Sequence, residues 1–205
     1  MDKGHKYFTD PEGYSNVLGK TVQPETCNGG EHLMIDMNMY QHCIPSDIAK
    51  ETIAQIIRVE SDNNPIAINV NGNKVHFKKP ATMEEAISTA KELTDQGHNI
   101  DVGLMQINSK NLVKFNISLS DSFEPCTNIS VGSLLLKDAY KKASLKFGRG
   151  QKSLQAALSI YNTGNMQDGF KNGYVSRYYP DLNSSNPYTS SSLVYAEKKE
   201  RNKQQ

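Results

Sequence analysis

The sequence predicts an α+β fold, predominantly α with a small β-hairpin. Two observations carry this. Four segments place apolar residues at the spacing of one helical face and end at caps or glycines, and one short segment alternates in a strand-like way around Asn71-Gly72. At 205 residues the chain is long enough for one domain with a real core.

In chain order, the first helix starts after Pro45 and Ser46, with Ala49, Ile53, Ile56, Ile57 and Glu60 on one face. Ile68-Asn-Val70, Asn71-Gly72 and Lys74-Val-His-Phe77 read as a hairpin. A second helix opens at Thr82-Met-Glu-Glu85, a capping box whose hydroxyl and carboxylate satisfy free amides, carries Ala86, Ile87, Ala90 and Leu93, and closes at Gly97. A longer helix runs from about Thr127 to Phe147 with Leu135, Leu136, Ala139 and Ala143 inward. The last spans Ser153 to Thr163, with Leu154, Ala157, Leu158 and Tyr161 on one face and Gly164 as its stop.

The ends differ from this body. Residues 1–43 are polar, glycine-punctuated and without apolar period, and read as an irregular extension. Residues 181–205 have a disordered composition, which leaves 44–180 as the expected folded domain.

Charge and hydropathy exclude some functions. With 23 Lys+Arg against 22 Asp+Glu, a formal charge of +1 supplies no excess to neutralise a phosphate backbone, so nucleic acid is not the expected partner. No segment approaches the roughly 20 apolar residues of a membrane span. The N-terminus lacks the apolar stretch of a secretory signal, so the expectation is either that a signal has been removed or that none was used. Cys27, Cys43 and Cys126 allow one bridge and one spare thiol, and their number alone does not fix the compartment.

Glu60 is the most informative residue. A carboxylate on the apolar side of a helix is costly to ionise, its pKa rises, and burial makes it the proton donor that glycoside cleavage requires. Position alone favours a plainer alternative, an exposed glutamate at a helix end paired with Arg58 or a lysine. Context must decide.

That context is four blocks: Glu60-Ser61 followed by Asn64-Pro65, Gly103-Leu-Met-Gln106, Tyr161-Asn162-Thr-Gly164 and Tyr174-Val175. As a set they resemble the lysozyme-like lytic transglycosylases. Ala67-Ile-Asn-Val-Asn-Gly72, Asn99 to Ser109, Pro125-Cys-Thr-Asn128 and Gly169 to Val175 narrow the resemblance to the VirB-type enzymes of type IV secretion and conjugation systems, over residues 43–178.

The resemblance implies a goose-type lysozyme/SLT fold, with a cleft flanked by helices above a small sheet. It implies peptidoglycan glycan strands as substrate, cleaved at the β-1,4 bond between N-acetylmuramic acid and N-acetylglucosamine, and type IV secretion components as partners. Glu60 would be the acid and then the base in forming a 1,6-anhydromuramoyl end. Gln106 would meet sugar hydroxyls and acetamido groups, Met105 would form an adaptable apolar wall, and Asn162 would hold a sugar. Tyr161 would pack near Glu60, although its helical spacing also makes it a core aromatic, and Tyr174 would hydrogen-bond the acid. Ser61 reads as a helix-end hydrogen bonder. Many relatives carry a small Ser where this chain has Asn69, a bulkier amide that can still bond the substrate.

Two further expectations concern a second carboxylate and the cysteines. Asp62 on the helix would point elsewhere, and Asp101, which could approach the cleft, is equally explained as a cap or turn residue and is read as a cap, so the substrate's own acetamido carbonyl is the expected stabiliser of positive charge. By the VirB-type pattern Cys43 pairs with Cys126 and leaves Cys27 free, which requires an oxidising compartment such as the periplasm. The competing arrangement joins Cys27 to Cys43.

Other patterns carry less. Gly13 to Gly19-Lys20-Thr21 has five residues between its glycines where a phosphate loop has four. Cys27, His32, His42 and Cys43 fit no usual zinc spacing, so neither metal nor cofactor is expected. The rival functions are a glycan-binding assembly scaffold and a virion-associated phage enzyme. A scaffold would have no need of an acid aligned with apolar residues.

Overall fold

A computed structural model describes residues 39–72 and 75–179. Most of the sequence-predicted extension, the whole tail, Cys27, His32 and the phosphate-loop-like segment lie outside the described residues.

The helical elements follow from the apolar spacing. Helix α1, Lys50–Ser61, buries Ile53, Ile56 and Ile57 and ends where Asp62 adopts a left-handed conformation (φ 53°), which short polar side chains tolerate. Glu60 thus lies in its last turn. Helix α2, Met83–Asp95, is capped by Thr82, whose hydroxyl accepts from the Glu85 amide at 3.2 Å, while the Glu85 carboxylate accepts from the Ala81 amide at 2.7 Å. Helices α3 (Ser109–Phe115) and α4 (Leu119–Phe123) are short, and Asn108 and Ser118 cap them. Helix α5, Pro125–Phe147, starts two residues before the expected position, with Pro125 in its first turn, and packs along α6, Gln151–Thr163. A single turn, α7 (Asp168–Lys171), and a 3-10 turn, Val175–Tyr178, complete the described chain.

The β element has different partners from those expected. Strand β1, Ile68–Val70, pairs antiparallel with β2, Ile100–Val102, which pairs antiparallel with β3, Ile107–Asn108. Val75 to Phe77 form no strand, so Asn71-Gly72 is not the turn of a hairpin. The hairpin is β2–β3 instead, turned by Gly103 to Gln106. It wins because Ile100, Val102 and Ile107 are all buried, whereas Val75 and Phe77 are only half-buried.

One buried side chain holds that turn. The Asn128 side chain on α5 donates to the carbonyls of Val102 (3.0 Å) and Ser122 (2.7 Å) and accepts from the Met105 amide (2.7 Å). Gly103 has φ +75°, and a β-carbon there would lie 2.2 Å from the Asn128 amide nitrogen, so both backbone and space demand glycine. The core around α1, the sheet and α5 includes Leu104, Met105, Phe123, Ile129, Leu136 and Tyr178, each essentially inaccessible.

Cys43 and Cys126 form a disulfide with Cα atoms 5.3 Å apart, linking the segment before α1 to the first turn of α5. Ser130 reinforces the tie by donating to the Cys43 carbonyl at 2.9 Å. Among the described residues, no helix is long and apolar enough to cross a membrane.

Candidate active site

A cleft of about 820 Å³ opens beside the end of α1. Its wall comprises Glu60 and Ser61 from α1, Asn69 and Asn71 from β1 and the loop after it, Asp101 from β2, Gln106 from the turn, Asn162 from α6, and Asn172, Tyr174 and Arg177 from the C-terminal segment. Elements more than a hundred residues apart in sequence therefore meet at one carboxyl group.

Glu60 is paired with Tyr174 rather than with Arg58, which is exposed: the Tyr174 hydroxyl donates to Glu60 Oε1. Burial pushes the Glu60 carboxyl up from its ordinary 4.5 to about 7. The Tyr174 hydrogen bond opposes that rise, the Asp101 charge adds to it, and the Arg177 charge opposes it. The group is thus poised to give and retake a proton near neutrality.

Asp101 is not the cap or turn residue expected. It occupies the middle of β2, where the register places Asn69 and Asn108 directly beside it on the neighbouring strands. Its Oδ1 accepts from Asn108 (2.7 Å) and its Oδ2 from Asn71 (2.8 Å), while burial raises its pKa against the opposing pull of its asparagine neighbours. The signal that could have found it is the alternation Ile100-Asp101-Val102: with both neighbours inward, Asp101 must face out of the core into the cleft.

The remaining sequence-predicted residues divide. Asn69, Gln106, Asn162, Tyr174 and Ser61 line the cleft. The Ser61 hydroxyl is spent on the Ile57 carbonyl at 3.0 Å. Gln106, at φ 48°, gives its amide hydrogens to the carbonyls of Gly103 (2.8 Å) and Ala67 (3.3 Å), so it offers the cleft chiefly an acceptor. Asn162 accepts from Asn172 at 2.9 Å, and Asn172 in turn accepts from the Tyr174 amide at 2.9 Å.

Met105 requires correction. It is fully buried and packs on Gly132 of α5, because Asn128 pulls its backbone inward, and it forms no wall of the cleft. Tyr161 stands behind the wall, where its hydroxyl donates to the Met105 carbonyl at 2.7 Å and the Glu60 charge acts on its ring hydroxyl. Tyr178 was not singled out from sequence, and Asn128 entered only as part of the Pro125-Cys-Thr-Asn128 block; the contacts that give them their roles belong to the tertiary structure.

Among the described residues, His42, Cys43 and Cys126 form the one group with metal-ligand atoms in mutual reach, and two of its members are joined in the disulfide.

Helices packed around a three-stranded antiparallel sheet, with one buried carboxylic acid at a helix end facing an amide-lined cleft, define a lysozyme-like domain. The sequence model of the transglycosylase SLT domain matches residues 44–181, and the chain belongs to that family. It is 41% identical over 132 residues to the type IV secretion system protein virB1 of Brucella abortus, an alignment covering 64% of this chain and 55% of that protein. It is 37% identical over 140 residues to protein virB1 of Agrobacterium fabrum, covering 67% and 55%. The chain thus spans about half the length of the curated relatives it matches. No solved structure gives a significant match.

Proposed function

We propose that the protein is a peptidoglycan lytic transglycosylase that cleaves the β-1,4 bond between N-acetylmuramic acid and N-acetylglucosamine and releases a 1,6-anhydromuramoyl end. The observation that carries this reading is the Glu60 carboxyl, held by Tyr174 in the cleft and protonated up to about pH 7. Glu60 gives its proton to the glycosidic oxygen as the bond to the muramoyl anomeric carbon breaks. The resulting carboxylate then takes the proton of the muramoyl 6-hydroxyl as that oxygen attacks the same carbon. No water is consumed, and the acid returns to its starting state.

Positive charge develops at the anomeric carbon between these steps. The substrate's acetamido carbonyl and the Asp101 carboxylate oppose it. Each Asp101 oxygen already accepts from an asparagine, which holds the carboxylate in place, although burial still leaves its pKa raised. A carboxylate fixed in this way suits electrostatic stabilisation. Asn162 and the Gln106 carbonyl are suited to sugar hydroxyl and acetamido groups.

The virB1 relatives support a setting in the periplasm, where the enzyme opens the wall locally for a type IV secretion or conjugation apparatus. A disulfide suits that oxidising compartment. The test is mass spectrometry of muropeptides after digestion, with and without borohydride. Ends that resist reduction are expected. Mainly reducible ends would mean hydrolysis, with Asp101 as the base that activates water.

A further inference from the structure

We propose that Lys79 and Arg58 are specificity-determining residues: they bind carboxylates of the peptide stem, so that the enzyme prefers strands whose stems carry free carboxylates to strands whose stems are amidated. The inference rests on the peptidoglycan substrate of the reading above, and it names the part of that substrate the cleft selects.

The sugars themselves give the cleft no reason to be charged. A strand of N-acetylglucosamine and peptide-bearing N-acetylmuramic acid has a neutral glycan backbone, for which the amides of Asn69, Gln106 and Asn162 are suitable partners. Yet Arg58, Lys79 and Arg177 also line the cleft, and all three are exposed. The carboxylates of peptidoglycan belong to the peptide stem, which hangs from the muramoyl residue, the same sugar whose anomeric carbon is attacked beside Glu60. The charged part of the substrate thus lies next to the bond that is cleaved.

Two of the three cations are not spent within the protein. Among the described residues Lys78, Lys91, Lys137, Lys142 and Lys171 pair with carboxylates, and neither Arg58 nor Lys79 does. Lys78 turns to Glu85 of α2 at 3.4 Å, while its neighbour Lys79 lines the cleft. Arg58 lies in the last turn of α1, where Tyr174 rather than Arg58 holds the Glu60 carboxyl. Arg177 is committed, since its guanidinium lies over the Tyr174 ring at 5.9 Å and its charge acts on Glu60. The carboxyl groups on the wall do not cancel this charge: Glu60 keeps its proton up to about pH 7, Asp101 is held by asparagines, and Asp62 is the one exposed carboxylate. The segment that carries Lys79 forms no strand, and it supplies Phe77 and Pro80 to the same wall. Apolar surface beside a cation keeps water away and strengthens its hold on an anion.

The experiment measures kcat/KM on uncross-linked strands of one length, with stem carboxyls either free or converted to primary amides, which nearly keeps their shape. The wild-type protein is expected to prefer the free-acid strands by about 3- to 10-fold, the scale of two exposed charge pairs, with the difference in KM. Raising the salt from about 0.05 to about 0.5 M should shrink the preference. Arg58→Gln combined with Lys79→Gln should bring the ratio close to one, and Arg58→Glu combined with Lys79→Glu should invert it. The ratio compares two substrates on one protein sample, so a partly folded variant still gives a valid reading. A wild-type ratio of one, or a ratio that both double variants leave unchanged, overturns the proposal. Reducible product ends would refute the transglycosylase reading and leave the ratio standing, whereas wild-type protein that cleaves neither strand would refute both.

Discussion

Asp101 faces the same cleft as Glu60, and its negative charge raises the pKa of that acid. The two carboxyl groups belong to different elements, α1 and β2, and their pairing divides the work: one keeps its proton near neutrality, and the other supplies negative charge. Asp101→Asn is therefore expected to move the alkaline limb of the pH–rate profile to lower pH. It should also slow turnover on the order of 10- to 100-fold by removing charge that stabilises the transition state. Steady-state kinetics from pH 5 to pH 9 check both.

Glu60→Gln removes the proton donor while nearly keeping its shape. Loss of cleavage by at least about 100-fold is expected, measured by release of soluble muropeptides.

The same substitution should stabilise the protein at high pH. The folded-state pKa of Glu60 is raised from 4.5 to about 7, so between those values the folded protein keeps a proton that the unfolded chain has released. Stability from this group is complete below 4.5 and is lost as pH rises through 7. Glutamine does not titrate. Denaturant melts should show Glu60→Gln gaining on the wild type across that window, by roughly 2 to 3 kcal/mol above it, with no change in the difference below pH 4.

Asn128→Ala should destabilise the fold and the site together. It takes the acceptor from the buried Met105 amide, at a cost of about 1 to 3 kcal/mol if no water replaces it, and removes a donor from the carbonyls of Val102 and Ser122. Thermal denaturation reads the first effect. Loss of activity in the remaining folded fraction reads the second, because the turn it holds carries Gln106.

Separating Cys43 from Cys126 opens a loop with a sequence separation of 83. The chain-entropy model assigns such a closure up to about 4 to 5 kcal/mol. The double Cys43→Ser, Cys126→Ser variant should lose a large part of this in denaturant melts. Peptide mapping without reductant should recover the joined peptides with Cys27 alkylated.

How much of this was legible in the sequence differed by element. The stripe of Ile53, Ile56, Ile57 and Glu60, the capping box at Thr82 and the stop at Gly164 are local patterns, and the helices they predict are present, whereas the short α3, α4 and α7 were not predicted. The partner of Ile68–Val70 was not legible, because a local Asn-Gly turn competed with a strand some thirty residues away and burial decided between them. Met105 reads as a cleft residue beside Gln106, yet Asn128, distant in sequence, turns it into the core.

The sequence by itself determined that a helix ends on a carboxylate in line with an apolar stripe, and that an amide-bearing glycine turn follows. These depend on periodicity and backbone preference within a few residues. Only the tertiary structure decided that Glu60 is desolvated, that Tyr174 and Tyr178 line up behind it and that Asp101 faces it. A pKa is set by everything within a few ångströms, and here those neighbours come from β2 and the C-terminal segment.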